Sequence, residues 1–173
     1  MYLGECVPGL LNYVSYTALI NSGYTDIFNQ PYSQATSSLD VDSWRANCNA
    51  DAMLCIGGGT AGDDLIRVLA CGNCYAITTV TAMNTPAFNG LAWWYYTTTN
   101  SIGFSPDSIV TQNNADTYDM ASELRLSWHT MATSGGYRAG SLTSYGTDLQ
   151  KYVFFKNMAA TSRLNFVQSY LIT

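Results

Sequence analysis

Charge is scarce in this 173-residue sequence: seven Lys and Arg, twelve Asp and Glu and a single His leave only 11% of its residues charged. Soluble domains usually carry roughly 25%. Enzymes bring several titratable groups together in one cleft. Few are present to be brought together, so no enzyme and no cofactor are expected. The seven cations form no cluster and the formal net charge is −5. That excludes a nucleic-acid reader, because phosphate binding needs clustered Lys and Arg. No apolar run approaches the roughly 18 residues of a membrane-spanning helix, so membrane insertion is not expected. The stretch from Val7 to Val14 is apolar, but no basic segment precedes it and Asn12 interrupts it. It is not read as a secretion signal. No Asn-x-Ser/Thr acceptor occurs, while Thr97 to Thr99 leave room for O-linked sugars.

What is present is aromatic and rich in hydroxyls. Phe, Trp and Tyr make up 13% of the chain, and Thr, Ser and Asn are frequent throughout. Thr fits pleated, half-exposed surfaces, and Ser and Asn punctuate turns. The length fits one domain with additional segments at its ends. This composition suits an extracellular or cell-surface β-protein that binds surfaces or builds them.

Five cysteines stand at Cys6, Cys48, Cys55, Cys71 and Cys74. Disulfides persist in oxidising compartments, and two intrachain bridges within Cys48 to Cys74 are expected. Four cysteines allow three pairings, which sequence does not distinguish. Cys6 is left free or bonded to another molecule. The alternative is five reduced, buried thiols. Cys71-Gly-Asn-Cys74 has the spacing of a redox pair, but a β-branched run follows it where a helix start is needed. A zinc ribbon prefers two close pairs, and Cys48 and Cys55 are loosely spaced.

Strand patterns recur along the chain, and long helical periodicity is absent. From Tyr13 to Ile20, the residues Val14, Tyr16, Ala18 and Ile20 fall on one face, which is strand spacing. Met53 to Ile56 reads as a short strand ended by Gly57-Gly-Gly59, and Leu65 to Ala70 is ambiguous between strand and helix. Tyr75 to Thr81 reads as a strand, and Asn89-Gly90 as a turn. In Leu91 to Thr98, Trp93 and Tyr95 point one way and Trp94 and Tyr96 the other. Leu124, Leu126 and Trp128 alternate with Arg125, Ser127 and His129, a half-buried strand with a wet outer face. Ser134-Gly-Gly136 turns it into Tyr137 to Leu142, a hairpin, and Tyr152 to Lys156 is another strand. Leu164, Phe166, Gln168, Tyr170 and Ile172 alternate with Asn165, Val167, Ser169 and Leu171. The reading is all-β: a β-sandwich or jelly-roll-like core over 46–157, a partly stranded N-terminal extension over 1–45 and a C-terminal strand extension over 158–173.

Candidate chemistry is thin. Gly57-x-Gly59-x-x-Gly62 matches a dinucleotide fingerprint, but no acidic residue lies between Asp64 and Asp107 to hold a ribose. A hairpin loop is the reading preferred. His129 shares a strand face with Ser127, about 6–7 Å away and too far for a nucleophile–base bond. It is read as a surface or interface histidine beside Arg125, Arg138 or an acid. The acidic pairs Asp40/Asp42, Asp63/Asp64 and Asp116/Asp119 are read as solvated turn residues rather than calcium ligands. No sequence feature shows two of them converging as in a glycosidase. Trp93, Trp94 and Tyr96 are either core or a platform for sugar rings.

Leu54-Cys-Ile-Gly-Gly, Leu124-Arg-Leu-Ser-Trp-His-Thr and Gly135-Gly-Tyr-Arg-Ala-Gly140, on to Tyr152, carry a resemblance. Over roughly its last two thirds the chain resembles a poorly characterised group of extracellular β-rich proteins. It also resembles fibril protomers recovered from freshwater samples, β-domains that polymerise through their terminal segments. The resemblance implies no functional residues. It agrees with a physical expectation: a sheet edge is completed by another chain's strand, and head-to-tail contacts that do not close give filaments. The assembly strands expected are Val14, Tyr16, Ala18 and Ile20 at one end and Leu164, Phe166, Tyr170 and Ile172 at the other. The partner expected is the chain itself, as a helical homopolymer. A carbohydrate-binding module using Trp93, Trp94 or Tyr96, with glycans as partners, is the alternative.

Overall fold

The structure, a computed structural model, describes residues 9–82, 86–88, 90–97, 101–111, 115–130, 136–144 and 146–158. These form two antiparallel sheets. One holds β1 (Gly9–Ser15), β2 (Thr25–Pro31), β3 (Ala52–Thr60), β4 (Leu65–Asn73) and β11 (Leu149–Asn157), in the order β1-β4-β3-β11-β2. The other holds β5 (Ala87–Phe88), β6 (Ala92–Tyr96), β7 (Ser101–Ser105), β8 (Leu126–His129), β9 (Arg138–Ala139) and β10 (Leu142–Thr143), in the order β10-β9-β8-β7-β6-β5. Short helices α1 (Tyr16–Asn21), α2 (Ser38–Arg45) and α3 (Cys74–Ile77) fill the connections. None of the described helices is long and apolar enough to cross a membrane.

Strand side chains alternate between faces, and the five-stranded sheet buries both. Leu54, Ile56, Val68, Ala70 and Val153 share one core with Trp93, Tyr95, Ile102, Phe104, Leu126 and Trp128 of the six-stranded sheet. Their sequence neighbours Met53, Cys55, Leu69, Cys71, Tyr152 and Phe154 form a second core on the opposite face, with Val14 of β1 and Leu19 of α1. Burial on both faces is why β3 and β4 read as continuous apolar runs.

Several sequence expectations change. Residues 9–31 are not an extension: β1 pairs with β4 and β2 with β11, inside one sheet. The alternation from Tyr13 to Ile20 does not hold as a strand. The Ser15 hydroxyl accepts from the Ala18 N–H and caps α1, and Gly23 follows its end at φ +87°. Tyr16, Ala18 and Ile20 therefore lie on a helix. Gly57, Gly58 and Gly59 lie within β3 rather than in a loop, and the chain turns later, at Gly62, with φ +80°. Close packing requires them. A Cβ on Gly57 would meet Leu69 Cδ1 at 2.6 Å, and one on Gly58 would meet the Tyr32 hydroxyl at 2.5 Å. The run after Cys74 opens as α3, capped by the Asn73 side chain, rather than as a strand.

The outer face of β8 is dry, not wet. Arg125 and Arg138 are 1% and 0% exposed, because residues 106–111 and 115–123 fold over them. The Arg125 guanidinium donates to the carboxylates of Asp116 and Asp107, both at 2.7 Å, and to the Ile109 carbonyl at 2.9 Å. Arg138 donates to the carbonyls of Gly140 (2.8 Å), Tyr118 (2.8 Å), Asp119 (3.1 Å) and Ser122 (3.1 Å). A buried guanidinium with that many acceptors holds an irregular segment in one conformation. Asp116, expected in a solvated turn, is 0% exposed.

Candidate functional site

The cysteine cluster is a pair of staples. Cys55 and Cys71 stand directly opposite in the β3–β4 register and are bonded. Cys48 and Cys74 join the end of α2 to the start of α3. All four sulfurs are consumed, so the cluster offers neither a thiolate ligand set nor a dithiol. Two disulfides fit folding in an oxidising environment. Cys6 lies outside the described residues.

The aromatic strand is core. In β6, Trp93, Trp94, Tyr95 and Tyr96 are 7%, 1%, 2% and 1% exposed. Trp94 stacks beside Tyr96 and its indole N–H donates to the Ser101 hydroxyl at 3.2 Å. Trp93 packs on Phe104 with ring centroids 5.2 Å apart. Buried on both faces, these rings present no platform to a sugar. His129 is likewise a buried residue rather than a surface one, packed edge-on against Tyr137, and burial pulls its pKa below the usual imidazole value.

Asp40 and Asp64 are structural. Asp40 completes a capping box with Ser37 at the start of α2. Asp64 accepts from the Ser15 hydroxyl and from the Thr17 hydroxyl and N–H, and these bonds hold its carboxyl below the usual range. Among the described residues no three metal-ligating side chains gather into a site.

One buried cation escaped the sequence reading. Lys151 of β11 is fully buried. Its ammonium donates to the Gln34 carbonyl and the Thr36 hydroxyl, both at 2.6 Å, and lies over the Phe28 ring. Burial pulls its pKa down to about 8, against an opposing pull from Asp40. A Lys in an alternating strand is ordinarily given to solvent, and only the three-dimensional partners reveal otherwise.

Two surface features stand out among the described residues. The first is the margin of the five-stranded sheet. Among the described strands β1 pairs only with β4, and β2 only with β11. The two edges differ in chemistry. β2 carries Asp26 and ends in Pro31, both of which discourage a further strand. β1, Gly9-Leu-Leu-Asn-Tyr-Val-Ser15, has neither charge nor proline over seven residues. Tyr13, 54% exposed, lies against the Arg67 guanidinium, which is paired with Glu123 through two bonds of 2.8 Å. The second surface is an open cleft between α1, the β3–β4 turn and the β2–β11 ladder, with a volume of about 610 Å³.

Of the expected assembly residues, Val14 is buried in β1, and Tyr16, Ala18 and Ile20 belong to α1. Leu164, Phe166, Tyr170 and Ile172 lie outside the described residues. Comparison with family models, with curated proteins and with solved structures finds no match.

Proposed function

We propose that this chain is an extracellular structural subunit, a β-sandwich whose copies assemble into a filament by strand exchange. The segment after β11 is the donor, with Leu164, Phe166, Tyr170 and Ile172 as its alternating face. β1 of the next copy is the acceptor. The observation that supports this reading is the chemistry of β1: among the described strands it is an edge of seven residues without charge or proline, its ladder interrupted only at Tyr13, where φ is +54°. The N-terminal strand thus receives rather than donates, because its inner side is already spent on β4. β11 is an interior strand that ends at Asn157, so the donor segment follows a strand flanked on both sides. Each copy then offers one edge and one strand, a head-to-tail contact that propagates without closing. Disulfides at Cys48–Cys74 and Cys55–Cys71 fit the extracellular placement.

The test is deletion of residues 159–173, followed by negative-stain microscopy and sedimentation velocity. Filaments from the full chain and monomers from the truncated one are expected. A Tyr13→Lys variant places a charge on the acceptor edge and is expected to shorten or abolish filaments while leaving the monomer folded. Filaments that persist without 159–173, or a full chain that stays monomeric, overturn the reading.

A further inference from the structure

We propose that the cleft between α1, the β3–β4 turn and the β2–β11 ladder binds a neutral saccharide. Tyr16, Tyr152, Asn29, Gln150, Asp63 and Asp64 line it. The half-buried Tyr16 ring leans at 54° on the buried Tyr152 ring, centroids 5.8 Å apart, and its exposed part gives the cleft an aromatic patch. Such rings take the apolar C–H face of a pyranose while polar neighbours take its hydroxyls.

The polar groups are held in advance. The Gln150 amide donates to the Asn29 side-chain carbonyl. The Asn29 amide donates in turn to Asp26 at 2.9 Å, and the Tyr16 hydroxyl donates to the same Asp26 oxygen at 2.9 Å. This relay fixes both amides through one of their two N–H groups each, which leaves the second N–H of each for a ligand. Asp63 accepts the Leu65 N–H through Oδ1, and its second oxygen is an acceptor at the rim. Asp64 is committed to Ser15 and Thr17 and serves as a wall.

Charge selects the ligand class. The lining has two carboxylates and no cation, so an anionic sugar or a phosphate is disfavoured. Hydroxyl groups, which both donate and accept, match amides and a carboxylate. The cleft is open to solvent, so it takes one face of a saccharide chain rather than enclosing a small metabolite. It lies on β2 and β11, whereas the proposed assembly edge is β1. Asn29, Gln150 and Asp63, the residues that the test alters, lie outside β1, so their substitution leaves the assembly edge in place.

The test titrates the full-length chain by calorimetry and affinity electrophoresis with gluco-, manno- and galacto-oligosaccharides. Sialyllactose serves as the acidic probe, and one arm contains EDTA. One neutral series is expected to bind, sialyllactose is not, and the chelator is expected to change nothing. Asn29→Ala with Gln150→Ala is expected to weaken binding by about tenfold or more with an unchanged circular dichroism spectrum. Should that double variant lose its fold, Asp63→Asn at the exposed rim supplies the same readout. No binding of any neutral series at about 10 mM, binding indifferent to these substitutions, preference for the acidic sugar, or dependence on a divalent cation each overturn the proposal.

Discussion

Lys151 makes the stability of this domain rise as the solution becomes alkaline, against the usual expectation for a lysine. The folded protein holds its ammonium in a fully buried site, with a pKa near 8 against an ordinary value of 10.5. Between those two values the unfolded chain binds more protons than the folded one, so stability increases with pH there. Below the lower value the cost is fully present, and above the upper value it is gone. The gap corresponds to about 3 kcal/mol at most, and the change from pH 7 to pH 9.5 is about 2 kcal/mol. The assay is guanidinium chloride unfolding at pH 7.0 and 9.5 with the disulfides intact. The wild-type midpoint is expected to be higher at pH 9.5. Lys151→Met keeps the length of the side chain and removes the titration. It leaves the Gln34 carbonyl and Thr36 hydroxyl with one donor fewer, but its stability is expected to lose most of the rise with pH. Above pH 10 the buried tyrosines, among them Tyr32 with a raised pKa, oppose the trend, which sets the upper limit of the window. A wild-type curve flat between pH 7 and 9.5, or an equal slope in Lys151→Met, would refute the reasoning.

Other outcomes follow from the packing. Replacing Cys55 and Cys71 together by Ala opens a bridge spanning 16 residues and is expected to cost about 3 kcal/mol in chemical unfolding. Gly103→Ala puts a Cβ 2.2 Å from the Leu126 carbonyl oxygen and 2.4 Å from the Trp94 ring. An unfolding midpoint within a degree of wild type would contradict that geometry. Arg138→Met leaves buried Asp116 with one cationic neighbour fewer and frees the carbonyls of Tyr118, Asp119 and Ser122. A loss of about 3–5 kcal/mol, with faster amide exchange across 115–123, is expected.

The β class, the strands at β6, β8 and β11 and the presence of two cysteine staples, though not their pairing, were legible because their signals are local: period-2 alternation, aromatic runs and clustered cysteines. α1 was misread because a short helix of mixed residues mimics alternation. Ser15 before it and Gly23 after it were the available boundary signals. The Gly57–Gly59 run looks like a turn to any local rule, and its reason lies in Leu69 and Tyr32, on other elements. Arg125 was assigned to solvent because charge in a strand ordinarily faces water, and the burial of Arg138 and Lys151 left no local signal. Their acceptors come largely from 107–109, 116–122 and 34–36, stretches without a periodic pattern. The cleft was invisible for the same reason, since α1, β2, the β3–β4 turn and β11 meet there only in the folded chain.

The claim that one copy completes the sheet of the next is tested most directly by mixing. Adding a synthetic peptide of residues 159–173 to chains truncated after Met158 is expected to give a one-to-one complex. In it the backbone amides of β1 become protected from hydrogen exchange, and those of β2 do not. Binding without protection at β1, or no binding at all, would contradict the account.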